Sequence, residues 1–280
     1  QKFMKGILYM ATLKDVARLA NVDVSTVSRA LNNTSYVHPE TKEKIFAAVK
    51  ELGYHPNVIA KALRQGKRNT IGVVVPRLHL AIFSEILRGI EEAAREKGYC
   101  TIICNTDDNP ETEAECLDRL RNGFVDGIVI AATGKNGRLI RDIQSGGIPI
   151  VQLIRRQEKK ISSVVADYEA CGYDAVKYLY EKGCREIAII AGAQHLYPYK
   201  GRYEGYSKAI AELNLRENVG ECSRQVNTFS YGYDATTQLL SDNYALDGII
   251  AAVDIQGLGA IRAIKDAGLK IPDHIKVISL

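Results

Sequence analysis

Along residues 12–53, apolar side chains recur three and four positions apart in three short bursts, the spacing that gathers them on one face of a helix. Leu13, Val16, Ala17 and Ala20 form the first burst. Thr12 stands just before it and Asp15 three positions on, an N-cap with an acidic partner. Asn21-Val22-Asp23 interrupts the period, and Asp23 can cap a second helix from Val24 to Leu31 whose Val27, Ala30 and Leu31 face inward. Pro39 suits the first position of a third helix, where its missing N–H costs nothing. Ile45, Ala48, Val49 and Leu52 form that helix's apolar stripe, and Gly53 can close it.

From Thr70 the pattern changes. Ile71-Gly72-Val73-Val74-Val75 is an apolar run of the kind buried on both faces of a sheet. A helix is predicted over 83–97, then strand 101–104, helix 111–122, strand 127–131, helix 136–145 and strand 148–153. After an extended piece at 163–166 come helix 168–182, strand 187–191, helix 202–213, strand 225–228, helix 232–241, strand 248–252, helix 255–267 and strand 275–279. Such alternation implies parallel sheets with right-handed crossovers. There are too many units for one ordinary open sheet, so two lobes are expected, with the crossing near 153–166. The fold class is thus an all-α headpiece followed by an α/β body of two parallel-sheet lobes. The stop at Leu280, directly after a strand, predicts a truncated sequence.

Charge separates the two parts. The 280-residue chain carries a net +4, yet residues 1–70 hold 12 Lys and Arg against 5 Asp and Glu, and residues 71–280 hold 25 against 28. The three-helix end is the candidate for binding a polyanion. A basic stretch is also an ordinary solvated face, so the assignment needs a motif beside it. Cys100, Cys104, Cys116, Cys171, Cys184 and Cys222 show no CxxC or Cys/His zinc spacing, and read as reduced thiols of a cytoplasmic protein with no metal and no cofactor. No apolar run approaches the roughly 18–20 residues of a membrane span. Residues 1–10 lack the apolar core of an export signal.

Thr12 to Leu31 reads TLKDVARLANVDVSTVSRAL. Two short helices with a three- to four-residue break suit a helix-turn-helix unit. The second helix of such a unit lies in the major groove with its N-terminal residues at the base edges. Here those are Val24, Ser25 and Thr26, with Ser28 and Arg29 a turn later. The hydroxyls suit phosphate or base edges, Arg29 suits guanine or phosphate, and Val24 offers an apolar contact such as a thymine methyl. A plain αα-hairpin with a polar surface helix fits the same two helices.

The string TLKDVARLANVDVSTVSRALN, followed by ELGYHPNVIAKALRQG and then NTIGVVVP, resembles the lactose-repressor (LacI/GalR) family, and the likeness runs from Leu13 to Leu280. It implies a DNA-binding headpiece at 11–56 that includes Thr12, a hinge and linker at 57–69, and a periplasmic-binding-protein-like effector and dimerisation domain at 70–280. It also implies that Asn57 to Leu63, Ala60 among them, becomes a short hinge helix on DNA. Seven residues cannot hold a helix alone because nucleation is costly, so DNA and a second copy must order it. Leu63 takes the position of the family's minor-groove wedge, against plain linker packing, and Arg64, Lys67 and Arg68 beside it suit phosphates. His38 stands where the family usually has a Ser or Thr cap. The partners implied are a pseudo-palindromic operator DNA, a small carbohydrate or sugar phosphate, and a second copy or more of the chain; no membrane is involved.

The resemblance also places an effector cleft between the lobes. Ile82 and Phe83 fall where apolar residues line it. Arg202, in Gly201-Arg-Tyr-Glu-Gly-Tyr206, matches an Arg that bonds sugar hydroxyls or a ligand carboxylate, and Asp254 matches an acceptor of ligand hydroxyls. Arg155 matches the Arg of a frequent Asp-Arg pair whose Asp is Ile154 here, so that corner is expected to be less acidic. Arg77 follows the first strand, where open α/β sheets bind ligands, and Arg-Leu there resembles members sensing sugar phosphates, such as trehalose and sucrose repressors. With Asp254 as the one clear counter-charge, Arg77, Arg155 and Arg202 suit phosphate or carboxylate; Arg77 and Arg155 as rim residues paired to surface carboxylates is the alternative. Asp167 is read as structural. His195 and Tyr197 through Tyr199 are expected in a loop, stacking on a sugar or packing on the surface.

No GxxxxGK[ST], HExxH or GxSxG appears, so a non-enzymatic, effector-controlled repressor of a carbohydrate operon is expected. The rivals are a transport-type sugar-binding protein, which would lack the headpiece, and a DNA-binding protein without effector control.

Overall fold

The computed structural model describes residues 11–54, 66–123, 125–242 and 245–280. Residues 1–10 and the hinge positions Asn57, Ala60, Leu63 and Arg64 lie outside these residues. Two compact units divide the chain, residues 1–68 and 69–280.

In the first unit, α1 (Leu13–Leu19), α2 (Val24–Asn32) and α3 (Pro39–Glu51) close around Val16, Val27 and Ile45, with Ala17, Ala20, Ala30, Ala48 and Tyr54 completing the core. The capping box forms: the Asp15 N–H donates to Thr12 Oγ1 at 3.4 Å, and the Thr12 N–H donates to the Asp15 carboxylate at 2.9 Å. Asp23 takes the N-cap position of α2 without a side-chain bond, and so does His38 before α3. The acidic cap expected of Asp23 is therefore a place in the chain and not a hydrogen bond. Asn21 and Asn33 bracket α2 at φ +52° and +51°. Asparagine tolerates this left-handed region where most side chains do not, so the two residues set the limits of α2.

The second unit alternates as the sequence predicts. Its elements are β1 (Thr70–Val75), α4 (Ala81–Glu96), β2 (Cys100–Asn105), α5 (Pro110–Arg121), β3 (Gly127–Ile130), α6 (Gly137–Ser145), β4 (Ile150–Leu153) and β5 (Ser163–Val164). After the crossing come α7 (Tyr168–Glu181), β6 (Ile187–Ile190), α8 (Tyr197–Glu212), β7 (Asn218–Gly220), α9 (Phe229–Asp242), β8 (Gly248–Ala251), α10 (Asp254–Asp266) and β9 (Lys276–Ser279). The strands make two sheets, ordered β2-β1-β3-β4-β5 and β7-β6-β8-β9, and every pairing is parallel.

Each sheet is covered on both faces, which is why its strands read as unbroken apolar runs. Val74 packs with Leu117, Leu120, Ile140 and Ile143 on one side, while Val73 and Val75 pack with Phe83 on the other. In the second sheet Ile190 and Ile249 face Ala235 and Ile264, whereas Ile189 and Ile250 face Val176 and Tyr206.

Two expectations are corrected. The segment 225–228 is not a strand; β7 lies seven residues earlier, where the Tyr206 hydroxyl accepts from the Asn218 N–H at 2.9 Å and donates to the Asn218 carbonyl at 3.0 Å. A tertiary contact selects that strand, not its own apolar pattern. Tyr197 through Tyr199 are not in a loop but in the first turn of α8, where Pro198 fits without an N–H.

Helices α7 and α8 pack at backbone distance. A Cβ on Gly205 would lie 1.9 Å from the Glu169 carbonyl oxygen, and one on Gly172 would lie 2.0 Å from that of Arg202. Only glycine permits this approach, and it fixes the height at which α8 presents Tyr199 and Arg202.

Candidate DNA-reading helix and effector cleft

In α2 the buried Val27 and Ala30 anchor one face in the three-helix core. The opposite face carries the candidate readers. Val24 is 41% exposed, Ser25 and Arg29 are exposed, and Thr26 and Ser28 are half-buried. Ser28 accepts from the Asn32 amide through its carbonyl at 2.8 Å. An exposed valine at the start of a helix gains nothing from packing, but it suits an apolar contact in a groove. Thr12 spends its hydroxyl on the α1 cap.

In the second unit the candidate effector residues lie past the C-terminal ends of strands, the ligand-binding edge of open parallel sheets. Arg77 follows β1, Arg155 follows β4, and Asp254 opens α10 after β8. Arg77 and Arg155 converge on a carboxylate that sequence reasoning missed. Arg155 donates through both terminal nitrogens to Asp108, with Nη2 to Oδ2 at 3.0 Å, and Nη1 also reaches the Ala132 carbonyl at 3.2 Å. Arg77 Nε lies 3.7 Å from Asp108 Oδ2. The corner expected to be less acidic holds a carboxylate after all, supplied by the turn after β2, so Asp254 is not the sole counter-charge.

The opposite lobe meets this group. With its carboxamide oxygen turned toward Arg77, Gln225 accepts from both terminal nitrogens at 2.5 and 2.7 Å. Tyr199 donates its hydroxyl to Asn227, and Gln256 ties the same segment down through a 2.9 Å bond to the Val226 carbonyl. The Arg202 guanidinium lies 4.9 Å from the centre of the Tyr168 ring, which meets Tyr197 edge-on at 5.6 Å. Burial lowers the Arg202 pKa, opposed by Tyr168, Tyr199, Cys171 and the Asp254 carboxylate. Asp254 accepts from Ser279 Oγ at 2.7 Å, and Asp167 caps α7 through the Ala170 N–H at 3.0 Å.

The apolar pair divides. Ile82 is 56% exposed, but Phe83 is 4% exposed among Val73, Val75, Ala131 and Leu153. Phe83 backs the first sheet's ligand edge from within the core. Ile154, standing where an Asp is frequent, takes φ +58°, a strained conformation for a β-branched residue. It directs the chain so that Arg155 turns back onto Asp108.

Burial pushes the Tyr199 phenol up to about 12, against the cations of Arg155 and Arg202, and it does the same to Tyr231. Both folded values lie above the ordinary 10.0, so the unfolded chain loses these protons first as pH rises. The stability involved is whole below pH 10 and drains away from 10 to 12. The melting midpoint should therefore fall steeply above pH 10, and less steeply in Tyr199→Phe; equal slopes in the two proteins would contradict the assignment.

Among the described residues no helix is long and apolar enough to cross a membrane. Residues 12–57 match the model of the bacterial regulatory proteins of the lacI family, and residues 68–280 match that of the periplasmic binding proteins and sugar-binding domain of the LacI family. The chain is 32% identical to the ribose operon repressor of Halalkalibacterium halodurans, over 96% of this chain and 80% of that protein. It is 33% identical to the HTH-type transcriptional repressor PurR of Histophilus somni, over 96% and 81% of the two chains. The crystal structure of the lac repressor dimer bound to operator and the anti-inducer ONPF superposes with a TM-score of 0.84 at 27% identity, covering 96% of this chain and 82% of that one. With a reading helix on one unit and a two-lobed ligand body in the other, both matched along nearly their whole length, the chain belongs to the LacI family of bacterial regulatory proteins.

Proposed function

We propose that this protein is a cytoplasmic, effector-controlled repressor of a carbohydrate operon, a regulator and not a catalyst. The observation that carries the reading is the exposed face of α2, Val24, Ser25 and Arg29, on a headpiece that matches the family model. In this reading residues 11–56 bind a half-site and 57–69 form the hinge, with Asn57, Ala60, Leu63 and Arg64 at the minor groove. Residues 70–280 hold the effector and pair with a second copy. The exposed Phe229 on α9 and Leu258 on α10 offer apolar surface for that pairing.

The charges of the cleft support an anionic effector. Arg77, Arg155 and Arg202 outnumber Asp108 and Asp254 there, and guanidinium forks match oxyanions. The effector is therefore a sugar bearing an anionic group, with phosphate at Arg77 and sugar hydroxyls at Arg202 and Asp254. In this reading the exposed Ile82 meets the effector, and the buried Phe83 supports the strand ends from within the core.

Footprinting on genomic DNA tests the whole. A dimer should protect a pseudo-palindrome whose half-sites lie about one helical turn apart, and Val24→Ala with Ser25→Ala should relax the sequence preference while non-specific binding survives. Protection of a single asymmetric half-site by a monomer would sink the reading.

A further inference from the structure

The Arg77–Arg155 pair is held by one carboxylate, one side-chain amide and the Ala132 carbonyl. Asp108 stands on the turn between β2 and α5, where Asp107 and Asp108 both take positive φ, +51° and +61°. Other residues build that turn. The Asn105 amide donates to Asp107 at 2.8 Å, its oxygen accepts from the Leu78 N–H at 3.1 Å, and Asn109 caps α5 through the Thr112 N–H at 2.7 Å. The Asp108 carboxylate is thereby left to the arginines, filling the Arg155 fork and lying beside Arg77 Nε. Two cations and one anion leave one surplus positive charge. It resides on Arg77, whose Nε is buried without a hydrogen-bond partner and whose terminal nitrogens rest on the neutral amide of Gln225 from the other lobe. Charge-assisted bonds are roughly twice as strong as neutral ones, so an oxyanion outcompetes an amide for that fork.

We propose that Asp108 and Gln225 determine the charge class of the effector: Asp108 cancels one of the two arginines, and a single anionic group of the ligand replaces Gln225 on the other. The inference rests on the anionic-sugar reading above and sharpens it. The cleft takes a carbohydrate with one anionic group, phosphate ester or carboxylate, and its binding exchanges an inter-lobe contact for a ligand contact. Asp108 is then a specificity residue that need not touch the sugar, and Gln225 is a competitor built into the chain.

Calorimetric titration with inorganic phosphate reads this subsite without the sugar, and acetate in parallel separates phosphate from carboxylate preference. The wild type should bind phosphate and Arg77→Ala should not. Asp108→Asn should bind at least about tenfold tighter, and Gln225→Glu, which sets a charge in the Arg77 fork, at least about tenfold weaker. Asp108→Asn leaves Arg155 without its charged partner; should that variant lose its cooperative melt, Gln225→Glu and Gln225→Ala decide, because Gln225 is exposed. Gln225→Ala should bind at least as tightly as the wild type. Phosphate binding that is lost in Arg77→Ala yet equal in the wild type, Asp108→Asn and Gln225→Glu overturns this inference alone. Absence of binding of either anion to the wild type and to Gln225→Ala overturns it together with the anionic-sugar reading.

Discussion

Glu113→Ala should lower the unfolding free energy by about 3–5 kcal/mol, because it strands several buried donors at once. Glu113 sits in the first turns of α5 with no exposed surface. Its carboxyl accepts from the Thr133 N–H at 2.6 Å, from the Thr133 hydroxyl at 2.9 Å and from the Asn136 amide at 2.9 Å. Alanine removes every one of these acceptors and opens a void, whereas the backbone N–H of Thr133 cannot turn toward water. Glutamine keeps one acceptor oxygen and should lose about half as much. Chemical denaturation of the three proteins measures the series, and a Glu113→Ala loss below about 1 kcal/mol would show that water replaces the carboxyl. The defect should reach the cleft as well. Thr133 follows Ala132, whose carbonyl accepts from Arg155, so slackening this loop loosens the clasp on Asp108.

Gly205→Ala should destabilise by about 3 kcal/mol or more, the upper part of the overpacking range. Helix propensity alone predicts the reverse, a gain of about 1 kcal/mol. The geometry decides: the new Cβ would sit 1.9 Å from the Glu169 carbonyl oxygen and 2.7 Å from the Tyr173 nitrogen, both backbone atoms that cannot rotate aside. The helices must part, and α8 carries Tyr199 and Arg202 with it. Gly89→Ala is the internal control. It lies in α4, and its Cβ would meet nothing within 4 Å, so it should stabilise by about 0.5–1 kcal/mol. Thermal melts of both variants separate propensity from packing, and a stabilised Gly205→Ala would refute the close crossing.

These residues also show where the sequence is readable. The helices of the first unit and most strands of the second follow from apolar spacing, because their side chains meet one continuous core. The short strand β7 escapes that reading. Its Asn218 and Gly220 carry no apolar signal, and its place depends on the Tyr206 hydroxyl. The start of α8 is hidden by aromatic residues and a proline that read as loop, although proline is at home in a first turn. Arg77 is legible from its place after a strand, and Arg155, Arg202 and Asp254 through the motifs that carry the family resemblance. Asp108 and Gln225 were not. Nothing local distinguishes Asp108 from Asp107 beside it, and Gln225 gains meaning only when the second lobe brings it to Arg77. A partner far away in sequence leaves no periodic trace.

The division of the strands between the sheets bears on how the chain comes to be folded during synthesis. Among the described residues, the strands of the first sheet lie between Thr70 and Val164, and those of the second between Ile187 and Ser279. A ribosome therefore delivers these five strands before the first strand of the second sheet emerges. At about 5–20 residues per second the interval to β9 is on the order of ten seconds, ample time for these local crossovers to form. Arg77, Asp108 and Arg155 all belong to this early segment. The nascent chain can assemble its ion-paired platform first, and Arg202, Gln225 and Asp254 then arrive as the later half of the cleft, docking onto a surface whose charges are already in place.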